Sequence, residues 1–151
     1  VAFDLDDTLI AGRHDFPAER RGWLARLSTR ESLRAGTVGL FRLLAAQGHE
    51  IWIYTSSYRE PSAVRWLFRA HGLAVRGVVT AMEHERVVLA DFQSYPPCAK
   101  YPPAFGIDVL VDDADGIALE GLRLGFPVIH LRPDDADWTG TVTAALGRMG
   151  M

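Results

Sequence analysis

The sequence predicts a doubly wound α/β fold: a five-stranded parallel sheet flanked by helices, in one domain over residues 1–151. Three observations predict it. Short apolar runs alternate along the chain with stretches of helical periodicity, the pattern of a parallel sheet covered by helices. Runs such as IWIY at 51–54 and VLV at 109–111 lack polar alternation, as expected of strands buried on both faces. Polar residues follow three of the five runs, and open α/β sheets bind ligands beyond the carboxyl ends of their strands.

Taken in order, Val1, Ala2 and Phe3 open a buried strand over 1–5. Pro17, well suited to a first helical turn, opens a helix over 18–28 that brings Trp23, Leu24 and Leu27 to one side. A helix over 37–47 carries Val38, Leu40, Phe41, Leu44 and Ala45 at helical spacing and stops at Gly48. The second strand, IWIYT at 51–55, places Trp52 and Tyr54 in the core. Pro61 opens a helix over 61–71 with Val64, Leu67 and Phe68 on its apolar face and Trp66 as packing, ending at Gly72. A third strand follows at 74–80, then irregular chain over 81–99. Strands at 108–112 and 127–131 and helices over 116–124 and 139–148 complete the set.

Composition narrows the function classes. A 48% hydrophobic content suits a globular core, and a net charge of −3 supplies no basic field for nucleic acid or a membrane surface. No apolar run approaches the roughly 20 residues of a spanning helix, and no signal peptide precedes the first strand. A cytoplasmic location is therefore expected. Cys98 is the only cysteine, which excludes an intrachain disulfide and a cysteine-based zinc cluster. The basic residues are all arginine except Lys100, which makes that residue a candidate for a task needing a compact, flexible point charge.

The chemistry concentrates in VAFDLDDTLI, where an apolar strand delivers Asp4, Asp6 and Asp7, with Thr8 closing the turn. Clustered carboxylates repel one another, and a divalent cation relieves the repulsion. Such a cluster reads either as a hard-metal site at a strand end or as an Asp-rich turn that caps a helix. Two other strand ends add polar groups: Thr55, Ser56 and Ser57 after the second, and Asp112, Asp113 and Asp115 after the fourth.

DLDDT after an apolar strand resembles the DxDx(T/V) signature of the haloacid dehalogenase-like (HAD) superfamily, mostly Mg²⁺-dependent phosphatases and phosphotransferases. The resemblance implies a Rossmann-like fold and assigns roles by position. Asp4 is the implied nucleophile and a Mg²⁺ ligand. Asp6 is the general acid and base, its main-chain carbonyl on the metal, and Asp7 supports the loop. Thr55 in IWIYTSS matches the second motif and would donate its hydroxyl to a phosphoryl oxygen, with Ser56 and Ser57 sharing that role or capping the next helix. Lys100 matches the third motif, its charge offsetting the nucleophile and phosphoryl group. VLVDDADG matches the fourth; Asp113 is favoured as the direct metal ligand over Asp112, and Asp115 could equally cap the helix near Gly116.

Other residues take plainer readings. His130 after the last strand reads as structural, and His14, His49, His71 and His84 lack metal-ligand spacing. Arg13 and His14 follow the first motif, where the superfamily has a mobile flap, and could touch substrate. Neither 9–54 nor 56–99 holds a full cap domain, so the resemblance is to a capless or minimally capped member, with flap or lid insertions at 9–36 and 81–99. An open site implies a macromolecular substrate or closure by another copy of the chain. The expected activity is Mg²⁺-dependent phosphomonoester hydrolysis on a phosphorylated substrate. The alternatives are a phosphatase for phosphoprotein or nucleic-acid ends, and a catalytically silent binding module.

Overall fold

The computed structural model describes residues 1–20, 22, 30–91 and 93–151. Among these, β1 (Ala2–Phe3), β2 (Trp52–Tyr54), β3 (Gly77–Val79), β4 (Leu110–Asp112) and β5 (Val128–His130) form one sheet in the order β3-β2-β1-β4-β5. Every neighbouring pair is parallel. The α-helices are α1 (Thr37–Ala46), α2 (Pro61–Arg69), α3 (Ala81–His84), α4 (Asp115–Leu124) and α5 (Trp138–Arg148). The architecture is the Rossmann-like doubly wound one expected from the alternating pattern. Strand order reverses between β1 and β4, so the crevice beyond their carboxyl ends is the topological switch point.

The alternating pleat explains how so few strand residues organise two layers. Phe3, Ile53, Val78, Val111 and Ile129 point to one face and meet Phe41, Leu67, Phe68, Trp138 and Val142 from α1, α2 and α5. Ala2, Tyr54, Val79 and Leu110 point to the other and meet Ile117 of α4, with Phe105 packed against them. In α1 the buried Thr37, Leu40, Phe41 and Leu44 follow the i, i+3, i+4, i+7 spacing read from the sequence. Gly77 faces the Trp52 ring so closely that a Cβ would lie 2.0 Å from it, which accounts for glycine at the buried start of β3. No helix among the described residues is long and apolar enough to cross a membrane.

Several expected boundaries shift. The apolar run at 1–5 pairs as a strand only over Ala2–Phe3, because Leu9 and Ile10 both donate to the Leu5 carbonyl and fold the chain back. Of the helix expected over 18–28, residues 21 and 23–28 lie outside the described residues. Its first turn is not helical: Ala18 bridges Arg34, Glu19 N–H donates to the Leu33 carbonyl, and Ala35 N–H donates to the Pro17 carbonyl. The Glu19 N–H, which the first turn of a helix would leave without an internal partner, is satisfied across this antiparallel pairing. The stretch 81–99, expected to be irregular, begins with α3 and a π-helical turn at Glu85–Leu89. Asp115 is not a cap; it is the first residue of α4, where its charge suits the positive end of the helix dipole.

Phe41 sits at the centre of the larger layer, 4.8 Å from the Phe3 ring and stacked 5.6 Å from Phe68. Phe41→Ala is expected to lower unfolding stability by about 3–5 kcal/mol through lost burial and a residual cavity. Urea unfolding checks this, and a loss under about 1 kcal/mol would mean the layer collapses around the gap.

Candidate active site

The tip of β1 is fixed by its backbone before any side chain acts. Asp4 N–H donates to the Val111 carbonyl at 2.8 Å, which extends the β1–β4 register one residue past the strand. The chain then turns sharply, with Asp7 at φ 64°, a left-handed conformation that Asp tolerates better than most residues. The Asp7 carboxylate accepts the His14 N–H at 2.8 Å and lies beside the Arg13 and His14 side chains. Burial alone would raise the Asp7 carboxyl, but N–H donors from His14, Arg13 and Gly12 hold it below its ordinary value. Asp7 therefore holds the loop that follows it.

Lys100 reaches this tip from the irregular chain ahead of the 3-10 turn Pro102–Phe105. Its ammonium is buried, hydrogen-bonds the Asp4 carboxylate, and lies 2.6 Å from Asp112 Oδ2. Burial alone would lower the pKa of this ammonium, yet the facing Asp4 and Asp112 hold it above the ordinary lysine value. Burial pushes the Asp4 carboxyl up to about 7; Lys100 opposes the rise and Asp112 adds to it.

Asp4, Asp112 and Asp113 each place a carboxylate oxygen within 4.8 Å of the others. Asp112 has both oxygens engaged, Oδ2 by Lys100 and Oδ1 by the Ala114 N–H at 2.9 Å. Asp113 Oδ1 accepts the Thr8 hydroxyl at 2.8 Å, so Thr8 ties the first acidic motif to the last. Burial raises the Asp113 carboxyl, with Asp112 adding to the effect. Three close carboxylates offset by one ammonium form an all-oxygen donor set that fits a hard divalent cation. Asp4 and Asp113 are the side chains best placed to turn oxygens toward one. His130, at the end of β5, contacts the Asp113 carbonyl at 3.0 Å.

Asp6 points elsewhere. Its Oδ1 accepts Arg59 Nη2 at 2.8 Å and its Oδ2 accepts the Thr55 hydroxyl at 3.3 Å. Arg59 also bonds Glu31 at 2.7 Å, bridging the segment after β2 to the segment before α1. Thr55 is buried, its N–H fixed to the Val79 carbonyl, and its hydroxyl lies 2.9 Å from Ser57 Oγ. Neither Ser56 nor Ser57 caps α2, whose cap residue is Glu60.

Every residue assigned to the site from sequence (Asp4, Asp6, Thr55, Ser56, Lys100, Asp112 and Asp113) lines one open cleft of about 460 Å³ at the switch point. Arg13 lines it too, with a largely exposed side chain. A larger hollow, about 540 Å³ along α2 and Gly72–Val75, holds no carboxylate. Sequence reasoning does not find Arg59, which holds Asp6, or Glu120, which lines the cleft: the first sits four residues past Thr55, and the second gives no signal, being a lone acid on an amphipathic helix.

Lys100→Met removes the cation and leaves Asp4 and Asp112 facing each other in the interior. A carboxyl raised by folding stabilises the fold below its unfolded pKa, and that contribution is lost as pH rises through the folded value. The variant is therefore expected to lose about 3–5 kcal/mol at pH 8 and clearly less at pH 5, where Asp4 takes up a proton. Denaturant unfolding at the two pH values checks it, and an equal loss at both would contradict the arrangement.

No family model and no curated protein matches the chain.

Proposed function

We propose that the chain is a Mg²⁺-dependent phosphomonoester hydrolase of the HAD type that works through an aspartyl-phosphate on Asp4. One observation carries the reading: the Lys100 ammonium is buried against Asp4 and Asp112 in the same cleft that holds Thr55 and Asp6. That combination supplies a carboxylate nucleophile, a fixed positive charge, hydroxyl donors and a second carboxyl for proton transfer.

In the first half-reaction Asp6 carries a proton taken from solvent on the oxygen that Thr55 leaves; an Asp4 carboxylate oxygen attacks phosphorus, the ester P–O bond breaks, and the leaving oxygen takes that proton. Arg59 is placed to stabilise the carboxylate that Asp6 then becomes. In the second half, Asp6 takes a proton from water as the water oxygen attacks phosphorus, which returns Asp4 and releases inorganic phosphate. Lys100 offsets the charge on the nucleophile and phosphoryl group throughout. The Thr55 hydroxyl, now on Asp6 and Ser57, turns to a phosphoryl oxygen when substrate enters. Asp4, Asp113, the Asp6 carbonyl and Asp112, directly or through water, would hold Mg²⁺, which offsets charge on the phosphoryl oxygens when bound.

The cleft is open, so it admits a phosphorylated group carried on a larger molecule as well as a small ester, and a second copy of the chain could close it.

Hydrolysis of an aryl phosphate is expected to require added Mg²⁺, and Asp4→Asn to lower turnover by roughly a thousandfold or more. Steady-state assays with and without chelator check both statements. Metal-independent turnover, or a fully active Asp4→Asn, would rule the mechanism out.

A further inference from the structure

The segment that brings Lys100 to the site, Cys98 to Tyr101, has no regular secondary structure. A lysine side chain is long and flexible, so its ammonium is placed only if its backbone is placed first. Here four consecutive residues have main-chain polar groups taken by side chains from other elements. The Cys98 carbonyl lies 2.9 Å from His84 Nε2, and Tyr101 N–H donates to the Tyr54 hydroxyl at 3.0 Å. Between them, Ala99 N–H donates to both Glu120 carboxylate oxygens at 3.0 and 3.1 Å, and Lys100 N–H reaches the same carboxylate at 3.4 Å. The Tyr54 hydroxyl and His84 Nδ1 are 2.5 Å apart.

With a neutral imidazole, one arrangement of protons satisfies all these contacts. The Cys98 carbonyl can only accept, so His84 Nε2 carries the hydrogen. The Tyr101 N–H can only donate, so the Tyr54 oxygen accepts it and turns its own hydrogen to His84 Nδ1. The result is a closed circuit from Tyr101 N–H through Tyr54 and His84 to the Cys98 carbonyl, straddling Lys100. It needs a neutral imidazole, and burial holds His84 below its ordinary value. Tyr54 also lies under the lysine, its ring centre 5.9 Å from Nζ.

We propose that Tyr54 and His84 are positioning residues: they clamp the backbone on both sides of Lys100 and so set its ammonium between Asp4 and Asp112. The proposal rests on Lys100 belonging to the phosphoryl site. A purely space-filling pair would affect stability when altered, but would leave Lys100 where it is.

Because Lys100 is the only lysine, its placement can be read without any substrate. Lys100 acetylation by the N-hydroxysuccinimide ester of acetic acid, followed by mass spectrometry of the Lys100 peptide, should be slow in the parent chain. Tyr54→Phe and His84→Leu should each speed it roughly tenfold beyond what their unfolded fraction supplies, taken from urea midpoints. His84→Gln, whose amide can still donate to Cys98, should fall between. In assays with Mg²⁺ and an aryl phosphate, kcat should fall roughly tenfold and KM change less than about twofold. If His84→Leu does not fold, Tyr54→Phe carries the test. Unchanged Lys100 labelling in folded variants overturns the clamp. Faster labelling in a chain with no phosphatase activity supports the clamp and counts against the proposed reaction.

Discussion

The site depends on one interaction: the ammonium of Lys100 buried between Asp4 and Asp112. Two carboxylates at the ends of adjacent parallel strands are brought together by the register Phe3↔Val111, whatever their side chains prefer. Charges held that close in a poorly solvated place are tolerated only with an opposite charge between them. Lys100 supplies it, and Asp113 beside them leaves the group acidic enough to want a second cation. The sheet fixes the spacing, and the lysine makes the spacing tolerable.

The surrounding structure keeps that arrangement in place. Arg34, nearly inaccessible, lies between the Phe16 and Trp138 rings and donates to the carbonyls of Pro133 and Asp135, with a longer contact to that of Thr8. It ties the turn after β1 to the connection between β5 and α5. The Thr8 side chain holds Asp113, and Asp7 gathers the N–H groups of the loop that follows. Each tie joins the first motif to a distant part of the chain, so the carboxylates at the switch point are held from several directions.

Much of this was legible in the sequence because it follows from periodicity and strand ends. Uniformly apolar runs marked buried parallel strands, and the rule that ligands sit at their carboxyl ends selected Asp4, Thr55 and Asp112 before their neighbours in space were known. The lone lysine stood out against an arginine-rich background. Less legible was whatever depends on side-chain direction. Asp6 turns to Arg59 and Thr55, a choice set by a turn at Asp7 that composition does not reveal. The antiparallel pairing of Ala18 with Arg34 replaced the start of a helix because backbone partners appeared from residues 33–35. Tyr54 reads as a core residue of its strand and His84 as a histidine without metal-ligand spacing, and only their polar tips, aimed at the lysine loop, distinguish them.

The proposed reaction passes through an acyl phosphate, a mixed anhydride on the Asp4 carboxylate. The most direct test is to quench the chain during steady-state hydrolysis of an aryl phosphate with Mg²⁺, reduce it with borohydride, and sequence the peptide by mass spectrometry. An acyl phosphate at Asp4 is reduced to homoserine, so homoserine at position 4 is the predicted result. Turnover with no reduction at position 4, or with the modification on another residue, would contradict the account.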